Sequence, residues 1–160
     1  MVTDTSEPLE PTAPQRVHAQ AEAVSVVEYM YRDASNYKNH ATFAVLGEIT
    51  ADIWEQLSSA CDPELGFIPT EVHMPELYST NPSHYDDDHP WHELTGYTVV
   101  HTSSQAEARS RRRRHPHDAA TETVQHLLSA FQSASWDPVA AQEQVEEWKR
   151  STPRGPLYEV

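Results

Sequence analysis

The chain has 160 residues, 38% of them hydrophobic, a formal net charge of -14 at neutral pH and a mean hydropathy of -0.69. That length suits one domain with appended pieces, and the acidic balance disfavours nucleic-acid phosphate and anionic lipid except at a local basic patch. Cys61 is the only cysteine, which excludes an intramolecular disulfide and a cysteine-based zinc finger.

Residues 1–22 hold three prolines and four acids, and their only large apolar side chains are Met1, Val2, Leu9 and Val17. Such a segment buries too little to offset the entropy of ordering, so an acidic, proline-rich disordered tail is expected. It lacks the basic start and apolar stretch of a signal peptide, and no later run has the apolar length of a membrane span. A cytoplasmic protein without membrane partners is the expectation.

AVSVVEYMY at 23–31 is rich in β-branched and aromatic residues and apolar on both faces, as in a central strand. RDASNYKNH at 32–40 is polar, with turn-forming Asp33, Ser35 and Asn36, and ATFAVLG at 41–47 predicts a second strand. A nine-residue connection makes the two an antiparallel hairpin with a long loop. Thr50 caps a predicted helix running to Cys61, with Ile53, Trp54, Leu57 and Cys61 on one face, and Asp62-Pro63 ends it. Residues 65–90 carry four prolines and no clean period, and read as a segment that hugs the core with a helical turn after Pro69. ELTGYTVVHT at 93–102 is the third predicted strand.

SSQAEARSRRRRHPH at 103–117 reads as an arginine-rich linker. Beyond it, Asp118 is a plausible N-cap for a helix with Val124, Leu127, Leu128 and Phe131 on one face. Asp137-Pro138 is an N-cap and N1 pair for a last helix at 138–150, with Val145 and Trp148 as its apolar face. The two helices span 118–151, and 152–160 should be irregular. The fold class is therefore α+β: a small antiparallel sheet in the order β-β-α-loop-β over 23–102, with an appended C-terminal α-hairpin. One short helix covers one sheet face, and the C-terminal helices or a partner chain must cover the other.

Three stretches carry possible chemistry. DDDHPWHEL, Asp86 to Leu94, places His89 and His92 beside Asp88, with His84, Asp86 and Glu93 as further N/O donors for a divalent metal. Pro90 breaks the helix that would turn both rings to one side, so the competing reading is an acidic entry to the third strand with Trp91 packed and His92 hydrogen-bonded. The second stretch, RDASNYK, offers Arg32, Asp33, Asn36, Tyr37 and Lys38, which together with Trp91 could grip an anion or a peptide. Its competing reading is a turn shaped by Asp33 and Asn36, with Arg32 paired to an acid. If the third strand enters beside the first, these two loops meet. The third stretch, RSRRRR, could contact nucleic acid through Arg111, Arg112, Arg113 and Arg114, or lie as an exposed linker.

Cys61 falls on an apolar helix face, as a small core residue does, and no glycine-rich phosphate loop or GxSxG, HExxH or Walker pattern occurs. No catalytic residue is identified, and no cofactor is expected unless a divalent metal binds.

YRDASNYKNH at 31–40, FIPTEVHMPEL at 67–77 and DHPWHEL at 88–94, in that order, resemble a family of small uncharacterised bacterial proteins with YRDxxNYK, FIPxxVxxPxL and DHxWHEL blocks. The resemblance implies that residues 25–102 form a unit to which the C-terminal helices are added; it implies no activity. The functional expectation is a non-enzymatic protein-binding or regulatory module with a protein partner or self-association. The alternative is a metal-dependent hydrolase in which Asp88, His89 and His92 hold an activated water and Arg32 and Lys38 steady an anionic transition state.

Overall fold

A computed structural model describes residues 23–78, 88–112 and 122–152. Strands β1 (Ala23–Arg32), β2 (Lys38–Leu46) and β3 (His92–His101) form one antiparallel sheet in the order β2-β1-β3. Helices α1 (Ala51–Ala60), α2 (Gln105–Arg112), α3 (Val124–Ser133) and α4 (Pro138–Ser151) surround it, with a 3-10 turn at Pro69–Val72. The architecture is α+β, a three-stranded sheet with C-terminal helices.

β1 is central because its sequence is apolar on both faces, and the strand is buried at Val24, Val27, Tyr29, Met30 and Tyr31. Its alternation sends Val27, Tyr29 and Tyr31 to one side. There they join Phe43 and Val45 of β2, Leu57 of α1, Phe67, Val72 and Met74, Leu127 and Phe131 of α3, and Val145 of α4 in the main core. α1 and the C-terminal helices thus share one face of the sheet, with α3 lying against α1. The expectation that the C-terminal helices would cover the opposite face is not what the fold does.

That opposite face is covered in part by α2, a helix within the segment expected to be a linker. Ala108 of α2 packs on Val24 and Ala44, beside Val26 and Leu46. An arginine-rich composition hid it: long basic side chains suit a helix surface as well as a solvated linker, and the helix buries only Ala108 and Arg112. β2 also starts earlier than its apolar pattern predicts. Lys38, Asn39 and His40 are polar but pair with Arg32, Tyr31 and Met30, so hairpin pairing overrides local propensity. The connection shrinks to Asp33–Tyr37.

The helix caps follow local chemistry. The Thr50 hydroxyl accepts the Ile53 N–H, and the Asp137 carboxylate accepts from Val139 and Ala140. α3 is capped by Thr123, whose hydroxyl accepts the His126 N–H; the expected cap, Asp118, lies outside the described residues, as do the expected tails apart from Thr152. The α3–α4 connection is tied to the core by Glu71. Its carboxylate accepts the N–H groups of Ser135, Trp136 and Asp137 at 3.0, 3.0 and 2.8 Å. Trp136, with a left-handed φ of 50°, donates its indole N–H to the Ala60 carbonyl at 2.8 Å.

Candidate functional site

β1 and β3 run antiparallel with Tyr31 opposite His92, so β3 begins beside the point where β1 ends. The two stretches richest in chemistry, Arg32–Lys38 and Asp88–Glu93, therefore meet at one end of the sheet. The condition posed by the sequence, that the third strand enters beside the first, is satisfied.

The buried half of this meeting point is built around Tyr31. Its hydroxyl donates to Asp88 Oδ1 at 2.8 Å and accepts the His89 N–H at 3.3 Å. Burial, followed by the Asp88 carboxylate, holds the phenol far above its ordinary range, so it stays protonated. Asp88 is 3% exposed, and its carbonyl accepts from Gln142 of α4 at 3.2 Å, which clamps the loop from above. His89 lies on the Tyr31 ring, centroids 5.2 Å apart, with its Nδ1 accepting the Trp91 N–H at 3.2 Å. Trp91 itself is half-buried.

His92 is fully buried among Tyr29, Tyr31, Phe67 and Tyr78. Its Nε2 accepts the Leu77 N–H at 2.9 Å, while Nδ1 lies 3.0 Å from the Pro90 carbonyl. Only the neutral ring protonated on Nδ1 satisfies both. Burial, aided by the neighbouring His89, pushes its pKa down to about 3, against the opposing pull of the Pro90 carbonyl. The lone pair that a metal would need on Nε2 is already committed. Among the described residues no three His, Cys, Asp or Glu side chains are placed to hold a metal ion; His84 and Asp86 lie outside them.

The exposed half is the turn. The Asp33 N–H donates to the Tyr37 carbonyl at 3.1 Å, the Asn36 N–H to the Asp33 carbonyl at 2.9 Å, and the Tyr37 N–H to Asp33 Oδ1 at 2.7 Å. Asn36 takes a left-handed φ of 67°, which asparagine tolerates better than most residues. Arg32 reaches Glu93 at 3.1 Å and Asn36 Oδ1 at 3.2 Å, joining the turn to β3. Asp33 Oδ2 is buried with no hydrogen-bond partner among the described residues. Above this frame, Lys38 is exposed and the Tyr37 ring is 64% exposed.

The remaining candidates sit elsewhere. Burial on α1 raises the Cys61 thiol to about 12, and the thiol donates to the Leu57 carbonyl, so it is no thiolate nucleophile. The arginine run is not a uniform basic stripe: Arg111 pairs with Glu107 at 3.0 Å, and Arg112 is buried and lies 3.7 Å from Glu122. Arg113 and Arg114 fall outside the described residues. Sequence reasoning missed Tyr31 and Leu77 as partners of the site. Tyr31 was readable as the strand residue two positions from Tyr29, but the Leu77 main-chain donor has no side-chain signature. Among the described residues no helix is long and apolar enough to cross a membrane. No family model, curated protein or solved structure matches this chain.

Proposed function

We propose that this chain is a non-enzymatic binding module that recognises a protein partner with the turn between β1 and β2. One observation carries the reading: the Tyr37 ring, largely exposed, stands on a turn held by three hydrogen bonds, with Arg32 and Lys38 beside it. A fixed aromatic next to cationic side chains is the composition of an interface hot spot, and a turn already ordered loses little entropy on binding. Three of the buried groups able to perform acid–base chemistry have other work. His92 is neutral and doubly bonded, Tyr31 is held protonated against Asp88, and the Cys61 thiol is pushed up.

The test is affinity capture from lysate of the native source with wild type and with Tyr37→Ala. A defined protein retained by the wild type and lost by at least about tenfold with Tyr37→Ala, at unchanged thermal stability, supports the reading. Equal capture by both overturns it. The hydrolase alternative would require His92 to surrender the Leu77 N–H to a metal. Near-stoichiometric zinc, manganese or iron in purified tag-free protein, lost in a folded His89→Ala/His92→Ala variant, would replace the binding reading with that one.

A further inference from the structure

We infer that the outer edge of β3 pairs with the same edge of a second copy of this chain, fusing two three-stranded sheets into one antiparallel sheet of six. The surface is separate from the β1–β2 turn, and the inference does not depend on the function proposed for that turn.

The order β2-β1-β3 leaves two edges, and the chain treats them differently. The β2 edge is guarded. Lys38 opens it, Asn39 donates to the Leu77 carbonyl at 3.3 Å, and the Leu46 N–H donates to the Glu122 carbonyl at 2.9 Å. At β3, among the described residues, only the first residue of the edge is in use, His92 exchanging both main-chain bonds with Phe67 at 2.8 and 2.9 Å.

The direction of the remaining main-chain groups follows from the ladder. The Gly47 N–H bonds to the Ala23 carbonyl, on the β2 side of β1. Ala23 therefore turns its back on its β3 partner His101, and the main chain of His101 points outward, followed at intervals of two by Val99 and Tyr97. These outward groups have no main-chain partner among the described residues. α2 does not cover them, since it crosses the sheet to lie on β1 and β2.

The composition of the edge points to self-pairing. Leu94–Val100, LTGYTVV, has no charge, no proline and no lysine, although 36 of the 160 residues are charged. It thus carries none of the usual devices that keep edges apart. A two-fold axis at Thr98 sets Thr98 against Thr98, Tyr97 against Val99 twice and Gly96 against Val100 twice. Tyr97 and Val99 lie on the same sheet face, opposite Val27 and Ser25, so the aromatic and β-branched side chains meet as a favourable cross-strand pair. Their outward main chains supply about four intermolecular hydrogen bonds, and no like charges oppose one another.

Light scattering of the full chain after size exclusion, over a wide concentration range, should give twice the 18.1 kDa chain mass. Val99→Lys, which places a gatekeeping charge on the edge, should raise the dimer dissociation constant at least about tenfold with the same circular dichroism. A second arm covers loss of folding in that variant. In this register Thr98 faces its copy as a narrow pair with Cα atoms about 4.5 Å apart, within disulfide reach. Thr98→Cys in a Cys61→Ser background should therefore oxidise to a covalent dimer, while Thr42→Cys on β2 should not. A monomer at every concentration overturns the inference, as does a dimer that survives Val99→Lys and that Thr98→Cys fails to cross-link.

Discussion

Acidification should destabilise this protein through one histidine. An imidazole in an open chain has a pKa of 6.5; at His92 burial, aided by the neighbouring His89, pushes it down to about 3 against the opposing pull of the Pro90 carbonyl. As pH falls past 6.5 the unfolded state takes up a proton that the native state refuses. The contribution of His92 is therefore fully present above 6.5 and is lost progressively as pH falls towards 3. Each unit is worth about 1.4 kcal/mol. Moving from neutral pH to about pH 5 removes roughly 2 kcal/mol, and the whole window roughly 5 kcal/mol, close to the full stability of a marginal domain. Urea unfolding followed by tryptophan fluorescence, at a series of pH values, measures this in the wild type and in His92→Gln. Glutamine offers a donor and an acceptor but does not titrate. The variant should be less stable at neutral pH and should lose close to one proton of pH dependence below 6.5, the other histidines cancelling in the difference. Parallel curves, or a His92 ring that titrates near 6.5 by NMR, would refute the reasoning.

Three further substitutions separate the contacts around β1 and β3. Tyr31→Phe removes the donor to buried Asp88 and the acceptor of the His89 N–H, and should cost about 1–3 kcal/mol in urea unfolding at an unchanged m-value. Gly66→Ala should be severe, because the residue has a φ of 96° and its new Cβ would run into the main-chain carbonyl of His92. Gly96→Ala meets only the far end of the Glu28 side chain at 3.4 Å and should change the thermal midpoint little, so a reversal of that order would show the Phe67–His92 bridge to be dispensable.

Much of the fold was legible because its local signals agree with its packing. The β-branched run at 23–31 is the central strand, Thr50 caps α1, and Asp137-Pro138 opens α4. What escaped was set by long-range partners. Lys38, Asn39 and His40 become strand only because β1 offers them a ladder, and α2 becomes visible only once Ala108 has Val24 and Ala44 to lie against. At the site, the sequence offered two readings of His89 and His92, as metal donors or as a strand entry with His92 hydrogen-bonded. Strand geometry sends His92 into the core, while His89 lies half-buried against Tyr31 with its Nδ1 taken by Trp91. The role of Arg32 as partner of an acid was foreseeable, but its choice of Glu93 depends on the β1–β3 register.

The grip of Glu71 on the α3–α4 connection also orders events during synthesis. β1 leaves the ribosome well before its β3 partner, which is made some sixty residues later, and the amide groups that claim the Glu71 carboxylate come later still. Until then Phe67 lacks its ring contacts with Phe131 and Trp136, and the β1–β2 hairpin has an open apolar side. The nascent chain must carry that exposed surface until α4 emerges, which makes this interval the stage at which a chaperone, or premature contact with a neighbouring chain, would have its greatest effect.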